Sequence, residues 1–124
     1  ESYIVSELLD FDRIPLDFEF SLNDAKDLHI EKKSAYCYLD YDKLNFPLTL
    51  RHWRNGDYFV PFGMSGKKKL SDFFIDGKFS EVEKRNAWLL LSGDDITWIV
   101  GHRADNRFRV TYTTRRVLAL RFLE

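Results

Sequence analysis

The sequence predicts an α+β domain with a two-layered sheet and two short helices in its middle. Its 124 residues suffice for one domain, and 11 Phe, 6 Tyr and 3 Trp favour strands. Several short segments alternate apolar and polar residues, which is typical of half-buried strands. Strands and helices do not alternate along the chain, so a parallel sheet of strand–helix–strand units is disfavoured.

Alternation places strands of the first half at residues 16–20, 35–41 and 48–51. Cys37 falls on the inward face of the second strand, where we expect a buried structural thiol. In the third strand Leu48 and Leu50 are expected to point inward, so Arg51 is expected to point into solvent.

The segment 51–76 is the feature around which the rest of the chain is organised. Residues 55–57 (Asn-Gly-Asp) predict a turn between two strand-like runs. Gly63 and Gly66 then hold the chain open as a loop, which ends in three consecutive lysines at a predicted helix start. Backbone N–H groups and positive side chains together are typical of anion binding.

Two short helices follow this loop. Apolar spacing predicts the first over residues 70–75, ended by Gly77. Ser80 and Glu83 have the spacing of a capping box, which predicts a second helix to about Asn86. Four further strands are predicted at residues 88–91, 96–100, 108–112 and 117–123, the first two as a hairpin.

Composition excludes several classes of protein. A single Cys excludes an internal disulfide and fits a reducing, cytoplasmic compartment. No apolar run reaches the roughly 20 residues of a membrane span. Net charge is −1, but residues 1–50 carry −6 and residues 51–124 carry +5. This split indicates either a basic binding face or chance partitioning in a mixed-charge domain. Because the chain begins at Glu1 without Met, we expect a piece of a longer protein.

The residues predict no catalytic, metal or nucleotide site. His29, His52 and His102 lack the spacing of metal ligands. Turn chemistry and helix capping account for the paired carboxylates of residues 72–76 and 94–95. Two residues lie between Gly63 and Gly66, whereas a phosphate-binding P-loop needs four residues between its glycines and a hydroxyl residue after its lysine.

Basic residues in loops and on outward strand faces are therefore the candidate site. Their functional interpretation is contact with the phosphates of RNA, which positions a stem without reading its sequence. The other interpretation is an ordinary solvated surface. The first candidates are Arg54, Lys67, Lys68 and Lys69, followed by Arg103, Arg107, Arg115 and Arg116.

From about residue 35 to the end, the chain contains a string of spaced residues: Arg54-x-Gly56-Asp57, Pro61-x-Gly63, Gly66, Lys68-Lys69-Leu70-x-Asp72, Phe74-Ile75-Asp76, Arg85, Trp98, Gly101, Arg103 and Arg107-Phe108-x-Val110-Thr111. In these residues it resembles the C-terminal domain of bacterial tRNA(Ile)-lysidine synthetase. On this basis residues 35–124 are expected to be a tRNA-binding domain. Residues 1–34 are expected to be a linker or the end of a preceding subdomain.

The resemblance implies a β-sandwich-like fold, similar to a domain of the phenylalanyl-tRNA synthetase β chain. It implies that the full enzyme uses ATP and lysine to convert the wobble cytidine of an isoleucine tRNA to lysidine. Catalysis belongs to an N-terminal domain with a Ser-Gly-Gly-x-Asp-Ser loop. That motif does not occur here, so the fragment is expected to need no cofactor and to be inactive alone.

The implied partners are tRNA, contacted at its acceptor stem, and the enzyme's own catalytic domain. The alternative function is an interaction module that docks to the catalytic domain or forms a homodimer. The resemblance also leaves open whether Asp57, Asp72 and Arg85 form internal ion pairs or contact RNA.

Overall fold

The computed structural model describes residues 1–123, which form antiparallel sheets and two short α-helices. The helices are α1 (Leu70–Asp76) and α2 (Glu81–Asn86). The strands are β1 (Ser2–Val5), β2 (Asp17–Asp24), β3 (Tyr36–Asp40), β4 (Leu48–His52), β5 (Tyr58–Phe59), β6 (Lys68–Lys69), β7 (Trp88–Ser92), β8 (Asp95–Ile99), β9 (Arg103–Ala104) and β10 (Arg116–Leu123).

Two sheets pack face to face, and a two-stranded ribbon lies beside them. The five-stranded sheet has the order β1-β4-β7-β8-β9, and the three-stranded sheet the order β2-β10-β3. Leu48, Leu50 and Trp98 from the first sheet share a buried core with Leu39 and Leu118 from the second. Burial of these side chains stabilises the sandwich, since apolar area removed from water contributes about 25 cal/mol per Å². The predicted β-sandwich-like α+β architecture is confirmed.

A second core lies on the opposite face of the five-stranded sheet. Leu89 and Leu91 of β7 pack there with Phe59 of the ribbon and with Leu70 and Phe74 of α1. Alternation along β7 sends neighbouring side chains to opposite faces, so one strand serves both cores. The ribbon of β5 and β6 and helix α1 are thereby fixed to the sheet.

Local signals predicted the helices and their ends correctly. Ser80 accepts a hydrogen bond from the Glu83 amide, and the Glu83 carboxylate accepts one from the Ser80 amide. Helix α1 ends at Gly77 as expected. The predicted hairpin is the pair β7–β8.

Two expectations differ from the structure. The Arg51 side chain is largely buried, because it pairs with Asp57 across the turn instead of pointing into solvent. Residues 109–115 form no strand; Phe108 ends a 3₁₀ turn instead.

The expected boundary at residue 34 does not coincide with a boundary in the fold. Strand β1 pairs with β4 along its whole length, and β2 pairs with all eight residues of β10. Val5, Phe11 and Phe18 lie in the main core. Residues 1–24 therefore belong to the same sandwich as the rest of the chain, because without them both sheets lose an edge strand.

Candidate nucleic-acid interface

The central loop, residues 60–67, joins the two strands of the ribbon. Tyr58–Phe59 pair with Lys68–Lys69 in antiparallel register. Phe59 before the loop and Leu70 after it are fully buried. The two ends of the loop are therefore held by the second core, whereas most of the loop itself is exposed.

Hydrogen bonds attach this loop to residues 103–107. The Val60 amide donates to the buried Asp105 carboxylate (2.8 Å), and the Asn106 amide donates to the Val60 carbonyl (2.7 Å). The Gly63 amide donates to the Asn106 side-chain oxygen (3.0 Å). Gly63 has a φ of 85°, a left-handed conformation that favours glycine. These hydrogen bonds fix the backbone of the loop, and a glycine occupies the position with the left-handed conformation.

Arg107 neutralises Asp105 beneath the loop. Its Nε and Nη2 atoms donate to the two Asp105 oxygens, each at 3.0 Å, and its Nη1 atom lies 3.3 Å from Asp95. The Asp105 side chain has no exposed area, and that of Arg107 is 32% exposed. The hydrogen bond with Asp105 raises the pKa of Arg107 above its ordinary value. The structure therefore gives Arg107 a scaffold role, and its predicted phosphate contact stays a prediction.

A second ion pair shapes the turn at residues 54–57. The Arg51 guanidinium donates to both Asp57 oxygens, at 2.9 and 3.1 Å, and the Arg54 amide donates to the same carboxylate at 2.7 Å. Burial raises the pKa of Asp57, and these hydrogen bonds more than offset it, so the pKa lies below its ordinary value. Asp57 is thus an internal ion-pair residue, and the Arg54 side chain is left exposed.

Tyr58 holds two cations over one ring. The Lys67 ammonium lies 4.5 Å from the ring centroid, and the Arg107 guanidinium lies 5.8 Å from it. Cation–π contacts of this kind position a charge without neutralising it. Lys67 therefore presents its positive charge at the surface in a defined place.

The three consecutive lysines differ in their surroundings. Lys68 pairs with Asp76 at the end of α1. Lys69 is the residue before α1 and is exposed, and it has no ion pair within residues 1–123. The charge available to an anion at this point comes from Lys67 and Lys69 and only in part from Lys68.

Arg103 joins the loop from β9. Its Nη2 atom donates to the Phe62 carbonyl at 2.7 Å, and the Phe62 amide donates to Ala104. Arg109, beyond the following 3₁₀ turn, donates to the Asn106 carbonyl at 2.9 Å. Both guanidinium groups are held by carbonyl oxygens, which leave their positive charge uncompensated.

Arg115 and Arg116 lie elsewhere, at the start of β10 in the three-stranded sheet. Arg116 pairs with Asp42 at 2.8 Å and lies 4.8 Å from the Tyr41 ring centroid. Arg115 shares a shallow cavity with Arg116, Asp24 and Asp42. The contacts that hold the central loop do not include these two arginines.

The predicted site residues fall into two classes within residues 1–123. Lys68, Arg107 and Arg116 have carboxylate partners. Arg54, Lys67, Lys69, Arg103 and Arg115 are not in ion pairs and are exposed. The second class is free to meet a phosphate. Lys67 lies in the central loop, Lys69 follows it, and Arg103 donates to the Phe62 carbonyl. Sequence reasoning missed Asp105, which no periodic pattern marks, and Tyr58 as the support for Lys67.

Metal ligands, the thiol and membrane-spanning helices were also considered for the part of the chain that the structure describes. Residues 1–123 contain no group of three or more His, Cys, Asp or Glu placed to hold a metal ion. Cys37 is buried, and burial raises the pKa of its thiol. Neither helix in these residues is long and apolar enough to cross a membrane.

Comparison with known proteins identifies the family. The family model described as "TilS substrate C-terminal domain" matches residues 48–120. A tRNA(Ile)-lysidine synthase of Parabacteroides distasonis is 62% identical over 97 residues, 78% of this chain and 22% of that protein. One from Bacteroides thetaiotaomicron is 47% identical over 92 residues, 74% of this chain and 22% of that protein. The chain thus spans about a fifth of the length of these relatives.

Solved structures show the same fold. A crystal structure of a TilS C-terminal domain superposes with a TM-score of 0.73 at 22% identity, covering 98% of this chain and 96% of that one. An N-terminal fragment of the phenylalanyl-tRNA synthetase β-subunit from Pyrococcus horikoshii gives a TM-score of 0.66 at 14% identity, covering 93% and 41%. The match extends over the N-terminal strands as well as the loop. This chain belongs to the family of C-terminal domains of tRNA(Ile)-lysidine synthase.

Proposed function

We propose that this chain is the tRNA-recognition domain of a tRNA(Ile)-lysidine synthase, and that it holds the acceptor stem of an isoleucine tRNA. One observation carries the proposal: exposed cations outside ion pairs lie in and beside a loop that the core and Asp105 hold in place. Arg54, Lys67, Lys69 and Arg103 are the residues we assign to phosphate contact. Such contacts fix the position of a stem and carry no sequence information.

In this proposal the chain acts as part of a larger cytoplasmic enzyme. The whole protein attaches lysine to the wobble cytidine of the tRNA and uses ATP, and the separate catalytic domain performs that reaction. This chain supplies affinity and orientation and is not catalytic on its own. When this chain binds the phosphates of the stem, the position of the distant anticodon relative to the catalytic domain is also fixed, because the tRNA is a rigid body.

A salt titration of tRNA binding tests the proposal. The affinity of the 124-residue chain for isoleucine tRNA should fall as salt rises, because bound phosphates release counterions. The double variant Lys67→Ala/Lys69→Ala should reduce the slope of log affinity against log salt by about 2. Lys68→Ala should change the slope less than Lys67→Ala or Lys69→Ala alone, since Asp76 already neutralises Lys68.

Lys26→Ala is the control for Lys67→Ala and Lys69→Ala taken singly, because it removes one exposed lysine that has no ion pair within residues 1–123 and lies outside the loop. The control should leave the slope unchanged. Salt-independent binding, or an equal loss of slope in Lys26→Ala, would refute phosphate contact at this loop. It would favour the docking alternative, for which Ile75 and Val82 on α1 and α2 offer exposed apolar side chains. Sedimentation of the chain alone and with the catalytic domain then measures docking directly.

A further inference from the structure

A groove of about 580 Å³ opens beside the central loop, between residues 30–38 and residues 102–110. Buried Trp98 and Cys37 line its floor, where the two sheets meet. Ile30 and Phe62, both about half exposed, line its mouth. The volume lies within the roughly 300–1,000 Å³ of ligand pockets in proteins.

Four cations surround this apolar interior: Lys32, Lys33, Arg103 and Arg109. Within residues 1–123 none of them is ion-paired, and carbonyl oxygens fix the two arginines in place. Two carboxylates also line the groove. Asp105 is neutralised by Arg107, so Glu31 is left as one negative charge against four positive ones. The rim therefore favours an anionic ligand.

We propose that the groove takes an unpaired nucleotide of the RNA whose stem the central loop contacts, an inference that rests on the proposed function. The exposed ring of Phe62 offers a face on which a base stacks, and Arg103 donates to the backbone carbonyl of the same residue. Lys32 and Lys33, which also line the groove, would contact the adjoining phosphates. A base pair within a helix presents only its edges, so a concave apolar site of this kind suits a base that is free of its partner.

The position of Phe62 ties the groove to the loop. Phe62 is a loop residue, and its backbone is held at both ends by Arg103 and Ala104. Phe62 and Lys67 belong to the same loop, so the groove and the proposed stem contact lie on one continuous segment of the chain. Single-stranded RNA at the end of a stem is the occupant that fits both features.

Two RNA hairpins of identical stem test the inference, one blunt and one with a four-nucleotide 3′ single-stranded extension. We expect the 124-residue chain to bind the extended hairpin at least five-fold more tightly than the blunt one. That ratio corresponds to about 1 kcal/mol, the lower end of base stacking on an aromatic side chain. Phe62→Ala should abolish the gain and leave affinity for the blunt hairpin unchanged. Lys32→Ala, on a different segment, should reduce the gain.

Leu9→Ala and Lys26→Ala are the controls, since each removes an exposed apolar or basic side chain outside the groove. Both should keep the full gain. Equal binding of the two hairpins by the wild-type chain would overturn the groove inference and leave the stem proposal intact. Binding of the extended hairpin alone would support the groove and overturn stem contact. Binding of neither would overturn both.

Discussion

Replacing Asp105 with alanine should lower the free energy of unfolding by about 3 kcal/mol. The carboxylate has no exposed area and accepts four hydrogen bonds, one from the Val60 amide and three from Arg107. Its loss leaves the buried Val60 amide unsatisfied, which costs about 1–3 kcal/mol. Breaking a buried ion pair costs roughly 3–5 kcal/mol. Because Arg107 is 32% exposed and also lies near Asp95, solvent and Asp95 recover part of that cost, so the lower end applies.

Urea unfolding followed by tryptophan fluorescence measures this loss by linear extrapolation. Asp95→Ala is the matched control, because it removes a 54% exposed carboxylate from the same arginine. Exposed pairs contribute about 0–1 kcal/mol, so the control should remain within about 0.5 kcal/mol of the wild type. Asp105→Asn, which keeps an acceptor for Val60, should fall between the two. An Asp105→Ala variant within 1 kcal/mol of the wild type would refute the view that this carboxylate holds the loop.

Two further predictions concern titratable groups. The lowered pKa of Asp57 means that its contribution to stability is present above about pH 4 and is lost as pH falls through the folded-state value. Asp57→Asn should therefore flatten the acid limb of unfolding free energy against pH in urea titrations, and an unchanged limb would contradict this. Burial raises the pKa of the Cys37 thiol, so the native protein should not react with dithionitrobenzoate at pH 8 until urea unfolds it. Labelling of the native protein at the rate of free cysteine would show that the thiol is accessible.

The elements that sequence predicted correctly are those specified by neighbouring residues. Ser80 and Glu83, three positions apart, exchange hydrogen bonds at the start of α2. Gly77 directly follows the last residue of α1. Cys37 and Leu39 were placed in the core by the alternation of side chains along a strand, which depends only on that strand. The exposed loop of residues 60–67 was predicted because Pro61, Gly63 and Gly66 lie within it.

Features that depend on distant residues could not be predicted in this way. Alternation assigned Arg51 to solvent, but it cannot show that Asp57 returns across a turn to meet it. The N-terminal strands looked separate because their pairing partners lie over 40 residues away in β4 and over 90 away in β10. Arg107 looked like a surface cation because nothing local reveals that the neighbouring Asp105 is buried.

Counting charge by sequence halves does not show which cations the fold brings together in space. The basic second half supplies the loop cations, yet Lys32 and Lys33 come from the acidic first half and reach the groove only through the fold.

Under the proposed function, a cation paired with a carboxylate holds the fold and a cation outside an ion pair contacts RNA. Different measurements distinguish the two roles. Substituting Arg51 or Arg107 should reduce stability, whereas substituting Lys67, Lys69 or Arg103 should reduce RNA affinity with little loss of stability. In that proposal the loop uses both classes, because fixed cations meet a phosphate backbone without first losing the conformational entropy of a mobile segment.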